Sequence, residues 1–228
     1  MNRIVTLIVL PAVSSSLIAQ PVQWSASSGG NGHWYEAVQL DEEISWEDAA
    51  GRANDLGGYL VTLTSQEENT WVGLNIAQPL GPQPRHGPWI GLYQDRTSPD
   101  YSEPAGAWIW VTGEPLGYTN WDDFRPEPNN DANQEHWASM SHIEFHWNDV
   151  PSFTGNGQGV FSFIVEYDSD PFCDADLNRD GLLDLTDVSL FVGAFILNQP
   201  AADLDETGVF DLRDINDFID AFSNGCEA

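Results

Sequence analysis

The 228-residue sequence predicts an α+β domain followed by a small α-helical module. Three observations carry this. Two helix signatures lie early in the chain among short apolar strands. A long stretch without periodicity comes later. The last segment holds an internal repeat of 27 residues, bracketed by Cys173 and Cys226, the only two cysteines.

Residues 1–19 read as an export signal. Arg3 supplies positive charge, Ile4 to Val13 is an apolar run too short to span a bilayer, and the expected cut falls between Ala19 and Gln20. No other apolar stretch has the length of a membrane helix, so the expected localisation is secreted or cell surface. Residues 20–32, rich in Ser and Gly, read as a flexible leader. His33 to Val38 reads as a first strand. Ser45 to Leu56 is a helix: Ser45 is the N-cap, Glu47 and Asp48 fill the first turn, and Gly57-Gly58 stops it. Tyr59 to Leu63 is a strand by composition, and Thr64 or Ser65 caps a second helix running to about Ile76.

Pro79 to Pro88 reads as a loop, Trp89 to Leu92 as an apolar strand, and Ala107 to Thr112 as a strand with Trp108 and Trp110 on one face. Gly113 to Gln134 shows almost no periodicity, and an irregular segment of that length in a compact domain is functional or disordered. His136 to Trp147 and Gly159 to Tyr167 alternate like strands. Residues 169–172 read as a linker to the module at 173–228.

The formal net charge of −29 argues against nucleic acid and anionic membranes as partners, because both would be repelled. It suits cations or neutral, hydroxyl-rich ligands. Glu127-Pro128-Asn129 and Trp147-Asn148-Asp149, with Glu135 between them, offer the carboxylate and amide oxygens that a hard cation such as calcium takes. A carboxylate only accepts hydrogen bonds, whereas an Asn amide both donates and accepts. If Glu127 and Asn129 each give one oxygen to an ion, Glu127 keeps an acceptor and Asn129 a donor. Two neighbouring sugar hydroxyls can then ligate the ion and bond to both, and Glu135 and Asn148 can repeat this on the other side.

These motifs, with Gly57-Gly58-Tyr59-Leu60, Trp89-Ile90-Gly91-Leu92 and Asn120-Trp121 in order, resemble a C-type lectin-like domain over residues 33–168. The resemblance implies a calcium site on Glu127, Asn129, Glu135, Asn148 and Asp149, with Pro128 held cis. It implies sugars with equatorial vicinal hydroxyls, of the mannose, glucose or N-acetylglucosamine type. It implies that Glu127, Asn129, Glu135 and Asn148 contact the sugar. The sequence lacks the core disulfides of the family: Ala53 and Val165 stand where one pair would be, Trp137 and roughly Ser152 where the other would be. Asn130 and His136 stand where a second calcium site would have acids. Trp121 could stack on a sugar, but at that landmark it is expected to pack the loop.

The tail reads independently. Asp176, Asn178, Asp180 and Asp187 fall at positions 1, 3, 5 and 12 of an EF-hand-type calcium loop, with Gly181 at the turn and the carbonyl of Leu182 at position 7. An apolar helix, Val188 to Ile196, follows. The second copy is Asp203, Asp205, Thr207, the carbonyl of Val209, and Asp214; Thr207 is the weaker ligand, so this site is expected to bind less tightly. The pair resembles a dockerin module. The flanking Cys173 and Cys226 resemble a bacterial subtype in which a disulfide clasps the ends. This implies a cohesin-like receptor as docking partner. A module this small has little core, so calcium and a staple are expected.

No nucleophile–base pair stands out and the clustered acids are committed to metal, so no enzyme is expected. The alternative to sugar binding is a protein-binding scaffold of the same fold in which calcium only orders the loop. His142 and His146 are expected on one face of a strand, as surface residues rather than ligands; His33, His86 and His136 are isolated.

Overall fold

The computed structural model describes residues 17–18, 20–81, 86–142, 144–179, 182–205 and 207–224. Among these described residues nine strands form one sheet: β1 Leu17–Ile18, β2 Val22–Gln23, β3 Trp34–Gln39, β4 Tyr59–Leu60, β5 Trp89–Gln94, β6 Trp108–Trp110, β7 Trp137–Met140, β8 Trp147–Val150 and β9 Ser162–Tyr167. The main path runs β1-β3-β9-β5-β7-β8, with β2 on β3, β4 on β9 and β6 on β5. All pairings are antiparallel except β5 with β9, which meet at Trp89 and Phe163. Of the expected signal segment 1–19, residues 1–16 and Ala19 lie outside the described residues, and Leu17–Ile18 pairs with β3 as β1.

Two helices pack on this sheet, α1 Trp46–Asp55 and α2 Gln66–Val72. Ser45 caps α1 by accepting the Asp48 N–H, and Ser65 caps α2 by accepting that of Glu68, which satisfies donors the helix leaves unpaired. A π-helical turn, Gly73–Ala77, extends α2. Two apolar clusters lie on either side of β3: Tyr35 and Ala37 join one with Leu63, Ile90, Trp110 and Trp147, and Val38 joins the other with Trp46, Ala53, Trp89 and Val165. The indoles bind across the chain: Trp46 Nε1 donates to the Ile90 carbonyl and Trp89 Nε1 to that of Ile44. Ala53 and Val165 are fully buried in one cluster, and the Ser152 hydroxyl accepts the Trp46 N–H beside α1.

Beneath α2 lies a buried polar network that composition did not announce. Glu68 and Glu166 are both buried, and the Tyr35 hydroxyl donates to each, at 2.8 and 3.2 Å. Thr62 and Thr64 present their N–H and hydroxyl to Glu166 and Glu68 respectively, and His33 Nδ1 lies 2.7 Å from Glu166.

Two expectations are corrected. Residues 20–32 are not a flexible leader. Val22–Gln23 pairs with β3, and buried Trp24 stacks on Trp71 at 5.8 Å, so long-range burial overrides the Ser/Gly composition. The alternating stretch His136 to Trp147 is not one strand. It is the β7–β8 hairpin, and His142 and His146 lie in its connection. Glu144 and Phe145 adopt positive φ there. The Phe145 ring packs so closely on Gly73 that a Cβ on that glycine would fall 2.2 Å from it.

The C-terminal module holds α3 Leu185–Ile196 and α4 Leu212–Asn224. Its core repeats with the sequence. Phe191 stacks on Phe218, 27 residues later, at 4.1 Å and 10°, and Ala175 and Ala202, also 27 apart, are both fully buried. Cys173 is disulfide-bonded, while Cys226 lies outside the described residues. The module meets the larger domain through Arg179, whose guanidinium lies over the rings of Trp34 and Phe172, at 5.5 and 4.8 Å, and 3.2 Å from Asp170. Among the described residues no helix is long and apolar enough to cross a membrane.

Candidate functional site

The long loop is pinned from below by aromatic rings. Trp121 meets Trp108 at 4.8 Å and Trp147 at 5.8 Å, both edge-on, so it packs the loop. Trp147 donates its N–H to the Asn120 carbonyl and accepts that of Asp122, tying the loop to β8. Asp122 then folds the next turn. Its Oδ1 accepts the N–H groups of Phe124 and Arg125, and its carbonyl accepts that of Glu127.

The Glu127–Pro128 bond is cis. Asn129 Nδ2 donates to Glu127 Oε2 at 2.5 Å, so both side chains meet at one point. Asp149, fully buried on β8, accepts the N–H of Asn129 at 3.0 Å through Oδ1 and that of Asn130 at 2.8 Å through Oδ2. Asn130 stands at φ 49° and its Oδ1 accepts the Glu135 N–H, while Glu135 Oε2 accepts that of Asp131 at 2.7 Å. Asn148, beside Asp149 on β8, is half-buried. The structure therefore brings Glu127, Asn129 and Asp149 into direct contact, links Glu135 to them through Asn130, and places Asn148 next to Asp149.

Sequence reasoning missed two residues of this site, Asp122 and the structural use of Asn130. The signal for Asp122 was an acid two residues before an exposed Phe124, an Asx-turn pattern. The signal for Asn130 was an amide where the backbone turns left-handed.

The electrostatics suit a cation. Burial pushes the Glu127 carboxyl up to about 8, and Asp149, Glu135 and Asp122 add to the effect with negative charge. A divalent ion would relieve that repulsion, and the carboxylate and amide oxygens here match the donors that calcium takes.

In the C-terminal loops the structure repeats one hydrogen-bond pattern. Asp187 Oδ1 accepts the Asn178 N–H and Oδ2 that of Asp184; Asp214 Oδ1 accepts that of Asp205 and Oδ2 that of Asp211. Asp176 and Asp187 are buried, as is Asp214; Asp180 lies outside the described residues. Asp203, Asp205 and Asp214 converge, with one oxygen from each within 4.8 Å of the others. Thr207 donates its hydroxyl to Asp205 Oδ1 at 2.8 Å. Leu182 and Val209 are exposed and their aliphatic side chains carry no ligand atom, so the carbonyl is the group either could contribute.

A family model described as Lectin C-type domain matches residues 42–157, just over half of the chain. The chain belongs to the C-type lectin domain family. This is a family of carbohydrate-binding domains, not of enzymes. A perlucin-like protein of Mytilus galloprovincialis is 33% identical over 107 residues, which cover 46% of this chain and 62% of that protein. The low affinity immunoglobulin epsilon Fc receptor of Mus musculus is 33% identical over 105 residues, covering 46% of this chain and 27% of the receptor. The chain thus spans less than two thirds of either relative. Among solved structures, the cow carbohydrate-recognition domain of CD23, crystallised in the presence of GlcNAc2Man3 oligosaccharide, is 24% identical. It has a TM-score of 0.45, with 59% of this chain and 87% of that chain covered.

Proposed function

We propose that the lectin domain binds carbohydrate through one calcium ion held by Glu127, Asn129, Glu135, Asn148 and Asp149. The observation that carries this is the direct contact of Glu127 with Asn129 at 2.5 Å, over a loop whose backbone Asp149 fixes. Those two side chains present one acceptor and one donor at the same point. Two vicinal equatorial hydroxyls, as in mannose, glucose or N-acetylglucosamine, suit that pair while their lone pairs complete the shell of the ion.

The C-terminal module, with its two calcium-type loops and the Cys173 disulfide, acts in this reading as a dockerin-like anchor for a cohesin-like receptor. The protein is exported, and the anchor presents several copies together. A shallow single-sugar site gains useful avidity from such presentation.

A second reading is favoured by Phe124, which is 92% exposed on the same loop. It would suit a protein partner, with calcium only ordering the backbone. A glycan array probed with and without chelator separates the two. The sugar reading expects mannose-type signals that disappear with chelator; calcium binding with no glycan signal supports the scaffold reading instead.

A further inference from the structure

Every cationic side chain fixed by the sequence is an arginine: the chain has seven Arg and no Lys. A cut between Ala19 and Gln20 therefore leaves residues 20–228 with a single primary amine, the α-amine of Gln20.

The structure places Gln20 where that amine can be consumed. Gln20 is exposed and lies outside any helix or strand. Two residues further on, the chain is held. Val22 pairs with Tyr35 and Gln23 with Trp34, and the Trp24 N–H donates to the His33 carbonyl at 2.9 Å. The first residue of the cut chain is thus free to bend on itself while its place on the surface is set.

An α-amine has a pKa of about 7.7–8.0, so a share of it is an unprotonated nucleophile near neutral pH. Its nitrogen can attack Cδ of the same side chain. The new N–Cδ bond closes a five-membered lactam, the Cδ–Nε2 bond breaks, and the amine proton leaves with Nε2 as ammonia. No oxidant, reductant or second reactant is needed, and both groups sit on one residue, which removes the entropy of bringing them together. The surroundings suit the product. Gln20 borders a cavity of about 210 Å³ walled chiefly by Val22, Ala37, Ile76, Pro79 and Leu80. None of the β1 residues that the cut removes lines it. An ammonium group beside apolar walls gives up hydration, and an uncharged lactam does not carry that cost.

We propose that Gln20 is a modification site, converted to pyroglutamate in the mature chain, so that residues 20–228 carry no primary amine. The proposal rests on the reading of the protein as exported and cut before Gln20. It bears on the ligand class. The carbonyl of a reducing sugar condenses with a primary amine and loses water to give an imine, whereas the guanidinium of Arg stays protonated and is no such nucleophile. A domain that holds sugars would then offer them no amine to react with.

The test uses the full chain, expressed with its leader in an exporting bacterial host, recovered from outside the cytoplasm and kept at neutral pH until its mass is constant. After reduction, the intact mass should equal residues 20–228 less one ammonia. Stepwise degradation from the N-terminus should stall until a pyroglutamate-specific aminopeptidase is added. An amine-reactive dye should leave the native chain unlabelled and label the variant Gln20→Ser once. Glucose with cyanoborohydride should likewise modify only the variant. A native chain that begins at Gln20 with its full mass and takes the dye overturns the proposal and leaves the export reading standing. A chain that keeps its leader, or begins at another residue, defeats the cut and the proposal with it. Glucose on a native chain whose terminus is blocked overturns the claim that no reactive amine remains.

Discussion

Asp149 holds the N–H groups of Asn129 and Asn130 on its two carboxylate oxygens, at 3.0 and 2.8 Å, while fully buried. One side chain on β8 thus sets the backbone of the loop that carries Glu127. Replacing Asp149 with Ala leaves two N–H groups without acceptors. The expected cost is about 1–3 kcal/mol per stranded group. Chemical unfolding should register that loss, and calorimetry should show the loop calcium site gone. A variant that keeps both stability and calcium would contradict the role assigned to Asp149.

The order of donor and acceptor at 127 and 129 should decide which diol fits. In the double variant Glu127→Gln, Asn129→Asp, array signals should move from mannose-type to galactose-type sugars. If neither class binds before or after the exchange, sugar recognition by this pair is wrong.

Stability should depend on pH through His33 and Glu166. The Glu166 hydrogen bond holds the His33 pKa above its ordinary 6.5, and burial raises that of Glu166 from 4.5. Both shifts mean that the folded state holds protons more tightly than the unfolded chain. The His33 contribution is then fully present below about pH 6.5 and is lost as pH rises through the raised value. Urea unfolding of the native chain and of His33→Gln at pH 6 and pH 8.5 checks this. The difference between the two should shrink at the higher pH; a constant difference refutes the linkage.

Phe191 and Phe218 should be coupled. Either one replaced by Ala should destabilise the module by about 3–5 kcal/mol. The double variant should fall short of the sum, with a coupling of about 0.5–1.5 kcal/mol for the stacked pair. Thermal unfolding of the four chains measures it, and strict additivity would count against the stack.

Both C-terminal loops should take calcium. Asp214→Asn removes one charge from the three converging acids, so the stoichiometry in a calcium titration should drop by one while the 176–187 loop still binds. An unchanged stoichiometry would mean that the second loop is not a site.

What the sequence made legible was local. Ser45 and Ser65 cap their helices because a hydroxyl and an N–H three residues on need no distant partner. The loop residues were legible because acid–Pro–amide is a compact donor set. What it hid depends on remote contacts. His142 and His146 fit an alternating pattern, but the Phe145 carbonyl accepts from Asn69 and Asn120, and that pairing turns the chain between them. Glu68 lies in the first turn of α2, and its burial depends on Tyr35, on the distant strand β3, which adds a hydrogen bond to those of the neighbouring Thr64. Nothing near Trp24 in sequence indicates that Trp71 will cover it.

Arg179 belongs to the first loop of the C-terminal module, yet its guanidinium rests on Trp34, at the start of a central strand of the lectin domain. That perch couples the heading of one module to the other. In the anchored arrangement proposed above, chains fixed by their tails to a common support would all aim the 127–149 loop the same way, like teeth on a comb, and a ligand with regularly spaced sugars would be read by its spacing as well as its chemistry.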